Sequence, residues 1–416
     1  MADMNGYLNS AEQHLLAAKD AAIANLKELE SNLEWLSAAC NLIHQLQRER
    51  GLTNIWLVSE GARKRAEREA QLKLADKELE RFCAQISDST DSGRLAKEPK
   101  LLASLAQLML SLSTLAHHRT EIQAMKLQPL DATLGYNHLI QQILTLIFDL
   151  AETAREPKTA RAMIALVHLI QVKELAGQER AWTAIGFARG NFVERLCQRL
   201  SRNQSDTAQM IAIFQQSAAQ ELLTSWQQIE ASSLFSEMTQ LRGLRTQLCK
   251  GQSIDPAIAE AWYDKATEYI DQLALLEAKA IQLLDAECRM QIDDAQRSKV
   301  KIERHLQELT PSKPVDPLSQ TSANDAAIVG TQGSLYQLIS EQNAQIQQLQ
   351  VDLTRARTAL QERKLIERAK EILKQQMKLD DDAAYRQLQK SAMDSGRSVA
   401  DVAARVLEAM AKQVEK

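Results

Sequence analysis

From Ser10 to about His305 this chain is an almost continuous series of apolar residues at three- and four-residue steps, and few folds are open to such a pattern. Only 13 glycines and 7 prolines occur among 416 residues, aromatics are scarce, and strong helix formers dominate. The expected fold is therefore all-α, divided into roughly two to four domains. The punctuation predicts where helices stop: near Ser87 to Glu98, around Pro129, at Pro157 and near Ser201 to Ser205. Ser10 with Gln13 reads as a capping box that starts the first helix, and Asp255-Pro256 as an N-cap followed by proline at the first helical position.

Net charge is −4, so no global basic field exists to hold nucleic acid, and any such binding has to come from a local patch. Cys40, Cys83, Cys197, Cys249 and Cys288 are scattered without CxxC spacing and read as free thiols of a reducing compartment. The first residues lack a basic stretch followed by an apolar core, and no run approaches about 18 apolar residues. A cytoplasmic protein without membrane attachment is expected. The seven histidines have no Cys, Asp or Glu at ligand spacing, and no phosphate loop or nucleophile elbow occurs. Neither an enzyme nor a resident cofactor or metal is expected.

One motif appears twice. Glu49-Arg50 and Glu179-Arg180 both open the pattern Glu-Arg-x-x-Thr-x-Ile inside mostly apolar helices, at an offset of 130 residues. Two similar helical bundles would each present one such pair. Ile43, Leu46, Arg50 and Thr53 fall on one stripe, which places a guanidinium among apolar side chains. A buried guanidinium without a counter-charge is penalised by several kcal/mol. Glu49 sits about 100° round the helix from Arg50 and is poorly placed to supply that charge. Two readings stand: an internal salt-bridge network, or an anion site in which Arg50 and Arg180 converge with planar, bidentate donors.

Three of the seven prolines, Pro311, Pro314 and Pro317, mark residues 308–334 as a linker. Beyond it Leu335, Ile339, Gln342, Ile346, Leu349, Leu353, Ala356 and Leu360 form a heptad seam over 335–362, suited to a homodimeric coiled coil or to a docking helix. Residues 363–412 then carry three short amphipathic stripes: Ile366, Ala369 and Leu373; Ala384, Leu388 and Ala392; Val399, Val402, Ala403 and Val406. Asp380, Asp381 and Asp382 signal the start of the second helix, and Ser398 with Asp401 is a capping box for the third. Basic residues decorate this small bundle, Lys370, Arg386, Lys390 and Arg397 among them, and they serve equally as a solvated charged face or as a phosphate-binding one.

Two resemblances bear on these alternatives. The stretches Glu362-Arg363 to Ala369-Lys370, Ala384-Tyr385, Ala392-Met393 and Val402-Ala403 resemble the ANTAR domain, the RNA-binding module of transcription antiterminators. Residues 10–307 resemble the NIT domain, the nitrate- and nitrite-sensing module of bacterial sensors, in Gln47 to Gly51, in Lys173 to Phe192 and in Gln240-Leu241-Arg242. Carried over residue by residue, the NIT resemblance implies Arg50, Arg180 and Arg242 as ligands of nitrate or nitrite. Arg48 is a weaker candidate, and Arg245 an alternative third member. The ANTAR resemblance implies contact with leader mRNA hairpins through Lys370, Arg386, Lys390 and Arg397, with Tyr385 either stacking on an unpaired base or filling the small core. Joined in this order, the two imply an antiterminator responsive to nitrate or nitrite, acting on a nitrate assimilation operon. The competing expectation is an anion-independent dimeric scaffold that presents an RNA-binding domain.

Overall fold

The computed structural model describes residues 2–91, 98–190, 192–249, 258–309, 358, 361–362, 364–374, 376–377, 379 and 381–414. Among them every regular element is helical: α1 (Ala2–Val58), α2 (Arg65–Asp91), α3 (Pro99–Ser113), α4 (Leu115–Gln123), α5 (Pro129–Thr153), α6 (Pro157–Arg189), α7 (Glu194–Ser217), α8 (Gln220–Glu230), α9 (Ser233–Cys249), α10 (Ile258–Leu309), α11 (364–374), α12 (Asp381–Ser395) and α13 (Val399–Val414). The heptad seam, most of the Pro-containing linker and Asp255-Pro256 lie outside the described residues.

Helix starts follow the prolines. Pro99, Pro129 and Pro157 each occupy the first turn of a helix, where the missing N–H leaves no hydrogen bond unmade. Gly190, at φ 67°, closes α6 in the left-handed conformation that side chains disfavour. Two sequence expectations give way. Helix α1 already runs from Ala2, so Ser10 and Gln13 lie inside it and mark no start. Helix α7 continues through Ser201 to Ser205, because that polar run holds no proline or glycine and Leu200, Asn203, Met210 and Phe214 keep a helical stripe on the core.

Helices α1, α2, α3 and α5 pack together, α6 packs with α7 and α10, and α10 with α8 and α9. The two groups meet where α1 lies against α6 and α10, and α5 against α6. A single core runs through both, with Trp35, Leu42, Ile43 and Leu46 from α1, Ile140 and Ile147 from α5, Leu166 and Ile170 from α6, and Trp262 and Ile270 from α10. Each such side chain contributes about 1.5–3 kcal/mol on burial. Trp182, Trp226 and Trp262 are core residues as expected. Segment Pro99–Gln123 holds no long unbroken apolar run, but by length and average composition it is apolar enough to cross a membrane. Here it is broken at Thr114 and buries Leu101, Leu105, Leu108 and Ile122 in the shared core.

The last three helices enclose a separate small core of Ala369, Leu388, Ala392, Val402 and Ala403, flanked by Ile366, Leu373, Val399 and Val406. The stripes read from the sequence are the ones that pack. The capping box is formed: the Asp401 amide donates to Ser398 Oγ (3.1 Å) and the Ser398 amide to the Asp401 carboxylate (3.4 Å). The cysteines depart from expectation, since Cys197 at the start of α7 and Cys249 at the end of α9 form a disulfide. Two helix ends 52 residues apart in sequence are brought together by packing, which no local spacing reveals. Cys40, Cys83 and Cys288 are free, and burial pushes the Cys40 and Cys288 thiols far up.

Candidate functional site

The two copies of the Glu-Arg motif meet where α1 crosses α6. Arg50 and Arg180 are both fully buried, and each lies against a glycine of the opposite helix. A Cβ on Gly177 would stand 2.5 Å from Arg50 Nη2, and one on Gly51 would stand 2.8 Å from Arg180 Nη2. A side chain at either place would displace the guanidinium from its present position.

The surroundings of the two arginines differ. Arg50 donates from Nη1 and Nη2 to the Glu174 carboxylate (2.6 and 3.3 Å) and from Nη1 to Asn137 Oδ1 (2.5 Å). Gln47 and Gln178 each donate a further bond of 2.8 Å to Glu174. Arg180 donates only to neutral oxygens, the Gln47 carbonyl (2.5 Å) and Thr267 Oγ1 (2.9 Å), and lies over the Tyr263 ring. Its Nε is buried without a partner, as is that of Arg50, but among the described residues no carboxylate pairs with it. Burial, aided by the like charges of Arg50 and Arg48 and opposed by Tyr263 and Asp271, pulls its pKa below the usual guanidinium value.

The glutamates of the motif are committed elsewhere. Glu49 accepts two bonds from Arg119 (2.8 and 2.7 Å) and one from the Tyr136 hydroxyl (2.5 Å). Glu179 accepts two from Arg242 (2.9 and 2.7 Å) and one from Arg245 (2.5 Å). Burial pushes the Glu179 carboxyl up, but the two arginines outweigh it and hold the carboxyl below its ordinary range. Arg242 and Arg245 thus converge on the neighbour of Arg180. Arg48 is half-exposed, 3.6 Å from Asp271, and stands apart from the buried pair. His44 is also near Asp271 (3.4 Å), yet burial and the cations Lys173, Arg48 and Arg180 push its pKa down to about 3, so this contact is made by a neutral imidazole.

Sequence reasoning missed Glu174, Asn137 and Arg119. Glu174 was in view, three residues before Gly177, but nothing local aims it at Arg50. Asn137 and Arg119 come from α5 and α4, whose sequences carry no pattern pointing here.

The small C-terminal bundle lies against the first one. Lys364 of α11 donates to Asp149 and to Glu152 (3.2 Å) of α5, beside Lys100 of α3, which also bonds Glu152. Glu371 faces His138, and Arg202 of α7 lies over the Tyr385 ring. Between the two bodies is a cavity of about 880 Å³, lined on one side by Asn137, Glu174 and Gln178 and on the other by Lys370, Glu371 and Tyr385. Of the sequence-predicted RNA residues, Lys370 is 9 % exposed and Tyr385 half-buried, whereas Arg386, Lys390 and Arg397 face outward.

Comparison with known proteins decides what this layout is. The family described as nitrate and nitrite sensing matches residues 41–285, and the ANTAR domain matches residues 354–407. The nitrate regulatory protein of Klebsiella oxytoca is 30 % identical over 373 residues, covering 88 % of this chain and 87 % of that protein. The chain belongs to the NasR-like family of nitrate regulatory antiterminators. The solved structure of the NasR transcription antiterminator matches with a TM-score of 0.62 at 27 % identity, over 97 % of this chain and 99 % of that one. The buried arginine crossing lies inside the matched NIT region, and the basic outward face inside the ANTAR region. NIT-type nitrate or nitrite sensing and ANTAR-type RNA binding are thus joined in one polypeptide.

Proposed function

We propose that nitrate or nitrite enters between α1 and α6, is held by Arg50 and Arg180, and thereby frees the C-terminal domain to bind leader mRNA hairpins, so that a terminator cannot form ahead of a nitrate assimilation operon. The observation that carries this reading is Arg180: a fully buried guanidinium, no carboxylate bonded to it among the described residues, and a second buried guanidinium on the facing helix. An uncompensated buried ion is held at a penalty of several kcal/mol, and a bound anion relieves it. A flat monoanion with three equivalent oxygens matches two planar forks approaching from different sides. Arg242 and Arg245, the candidates for a third ligand, both fix Glu179 next to the pair; Arg48 is peripheral.

On this reading residues 10–307 are the sensor, 308–334 a linker, 335–362 the coiled coil that pairs two chains in the cytoplasm, and 363–412 the RNA-binding domain. Lys370, Tyr385, Arg386, Lys390 and Arg397 form the RNA face. Lys370 and Tyr385 line the cavity against the sensor, which favours a docked, restrained output domain in the absence of ligand.

A second reading, the anion-independent dimeric scaffold, is favoured by the Glu174 carboxylate that already satisfies Arg50. Titration calorimetry of the full chain with sodium nitrate separates the two. The sensing reading expects saturable heat that disappears in Arg180→Met. A scaffold gives none from the unaltered chain, and heat that survives Arg180→Met removes Arg180 from the site.

A further inference from the structure

Four donors converge on two carboxylate oxygens at Glu174: Arg50 through both Nη atoms, Gln47 and Gln178. The set is largely buried and, although Arg50 Nε has no partner, it presents the paired donors with which a protein recognises a small flat oxyanion. A carboxylate and nitrate present the same two-oxygen edge to such a fork. What fills the donor set here is a side chain of the chain itself, on the same helix as the uncompensated Arg180 and six residues before it.

We infer that Glu174 is a resident stand-in for the effector: its carboxylate occupies the Arg50 donor set in the ligand-free chain, and the incoming anion displaces it. The inference rests on the reading of Arg50 and Arg180 as the nitrate or nitrite site. Displacement has a consequence fixed by position. Glu174 is 4 % exposed, and once its guanidinium is taken by the ligand it is a buried carboxylate whose charge is unmatched. It lines the cavity beneath the output domain together with Asn137 and Gln178. A carboxylate turned into that cavity carries its negative charge toward the wall formed by α11 and α12, where Glu371 already stands. Anion binding at the α1–α6 crossing is thereby coupled to undocking of the RNA-binding domain through a single exchanged charge, with no movement of the helix bundles required.

The test uses the full chain, sodium nitrate and two substitutions that act in opposite directions. Glu174→Gln keeps the shape but removes the charge that competes for Arg50, so nitrate should bind about tenfold tighter. In the same variant the nitrate-induced rise in amide hydrogen exchange over residues 364–374, expected in the unaltered chain, should vanish because no charge is left to be displaced toward α11. Asn137→Asp offers Arg50 a second internal carboxylate at a position already 2.5 Å from Nη1, and nitrate should bind about tenfold more weakly. A role limited to stability predicts weaker binding from both variants. The inference is overturned if Glu174→Gln binds nitrate no more tightly than the unaltered chain, or if it binds more tightly yet still opens residues 364–374. Unchanged affinity in Asn137→Asp also overturns it and covers the case in which Glu174→Gln does not fold. Full nitrate affinity in Arg180→Met is a different failure, because it removes the underlying site reading whatever Glu174→Gln does.

Discussion

The Glu-Arg motif of α1 and its copy in α6 have the same residues, the same burial and reciprocal glycine contacts, but opposite electrostatic fates. In both, the glutamate is turned back into its own bundle, toward Arg119 in one and toward Arg242 and Arg245 in the other. The arginines differ: Arg50 has Glu174, and Arg180 has a carbonyl, a hydroxyl and an aromatic face. A repeated motif therefore yields one arginine paired with a carboxylate and one without, on facing helices, which is the arrangement a ligand-responsive site requires. Two satisfied arginines would leave an anion nothing to gain, and two unsatisfied ones would destabilise the ligand-free fold.

The comparison breaks most visibly if the two arginines are made apolar. Arg50→Met leaves the Glu174 carboxylate buried with only amide donors, and unfolding should become easier by about 3–5 kcal/mol. Arg180→Met removes a charge that has no ion-pair partner among the described residues and only the longer-range pull of Asp271, so its stability should be unchanged or higher. Both should lose nitrate binding. Urea unfolding of the two variants side by side checks the asymmetry; equal destabilisation would mean that Arg180 has a counter-charge after all.

A smaller effect is expected from Arg50→Lys. The ammonium retains the charge opposite Glu174, so the fold should persist, but it cannot reproduce a planar two-point contact. Loss of one or two charge-assisted hydrogen bonds of about 1.5–3 kcal/mol each weakens nitrate binding tenfold to a hundredfold or more. Calorimetry showing undiminished nitrate binding in this variant would place Arg50 outside direct contact with the anion.

How much of this was open to reading from the sequence depends on whether a feature is local. The helical class, the N1 prolines, the three C-terminal stripes and the Ser398–Asp401 box follow from residues within a few positions of one another, and they are present. The presence of Arg50 on a buried stripe was likewise legible, because Ile43 and Leu46 share its face. Its partner was not: Glu174 meets Arg50 only because Gly177 lets α6 approach α1 at that level. The Cys197–Cys249 bond and the contact of Arg202 with Tyr385 are hidden for the same reason, since each joins helices distant in sequence. Lys370 and Arg386 look alike in sequence; only docking separates the covered charge from the open one.

At the contact between the bodies the expected effect is moderate. Lys364 is buried against Asp149 and Glu152, and Lys364→Ala removes it from the docking surface while the small core of Ala369, Leu388 and Ala403 stays intact. Losing about 1.4 kcal/mol of restraint raises nitrate-free RNA binding about tenfold. Moving a docked population from 1 % to 99 % free takes about 5.5 kcal/mol, so this variant should leak without becoming fully independent of nitrate. Gel-shift titration with leader RNA, with and without nitrate, reads both quantities; an unchanged nitrate-free affinity would show that docking does not restrain the output domain.

The smallest effect belongs to Arg48, and it tests whether burial or mere proximity defines the site. Arg48 sits two residues before Arg50, but its side chain is 40 % exposed and its nearest acid, Asp271, is 41 % exposed at 3.6 Å. A pair this open to solvent contributes about 0–1 kcal/mol, and salt screens it further. Arg48→Ala should leave stability within about 0.5 kcal/mol of the unaltered chain. Nitrate affinity should fall by no more than about twofold at low salt and be indistinguishable at high salt, because Arg48 can act on a buried anion only through a long-range field. A hundredfold loss of nitrate binding in this variant would move the anion from the dry crossing of α1 and α6 to the half-exposed seam between α1 and α10, where Arg48, Asp271 and His44 meet.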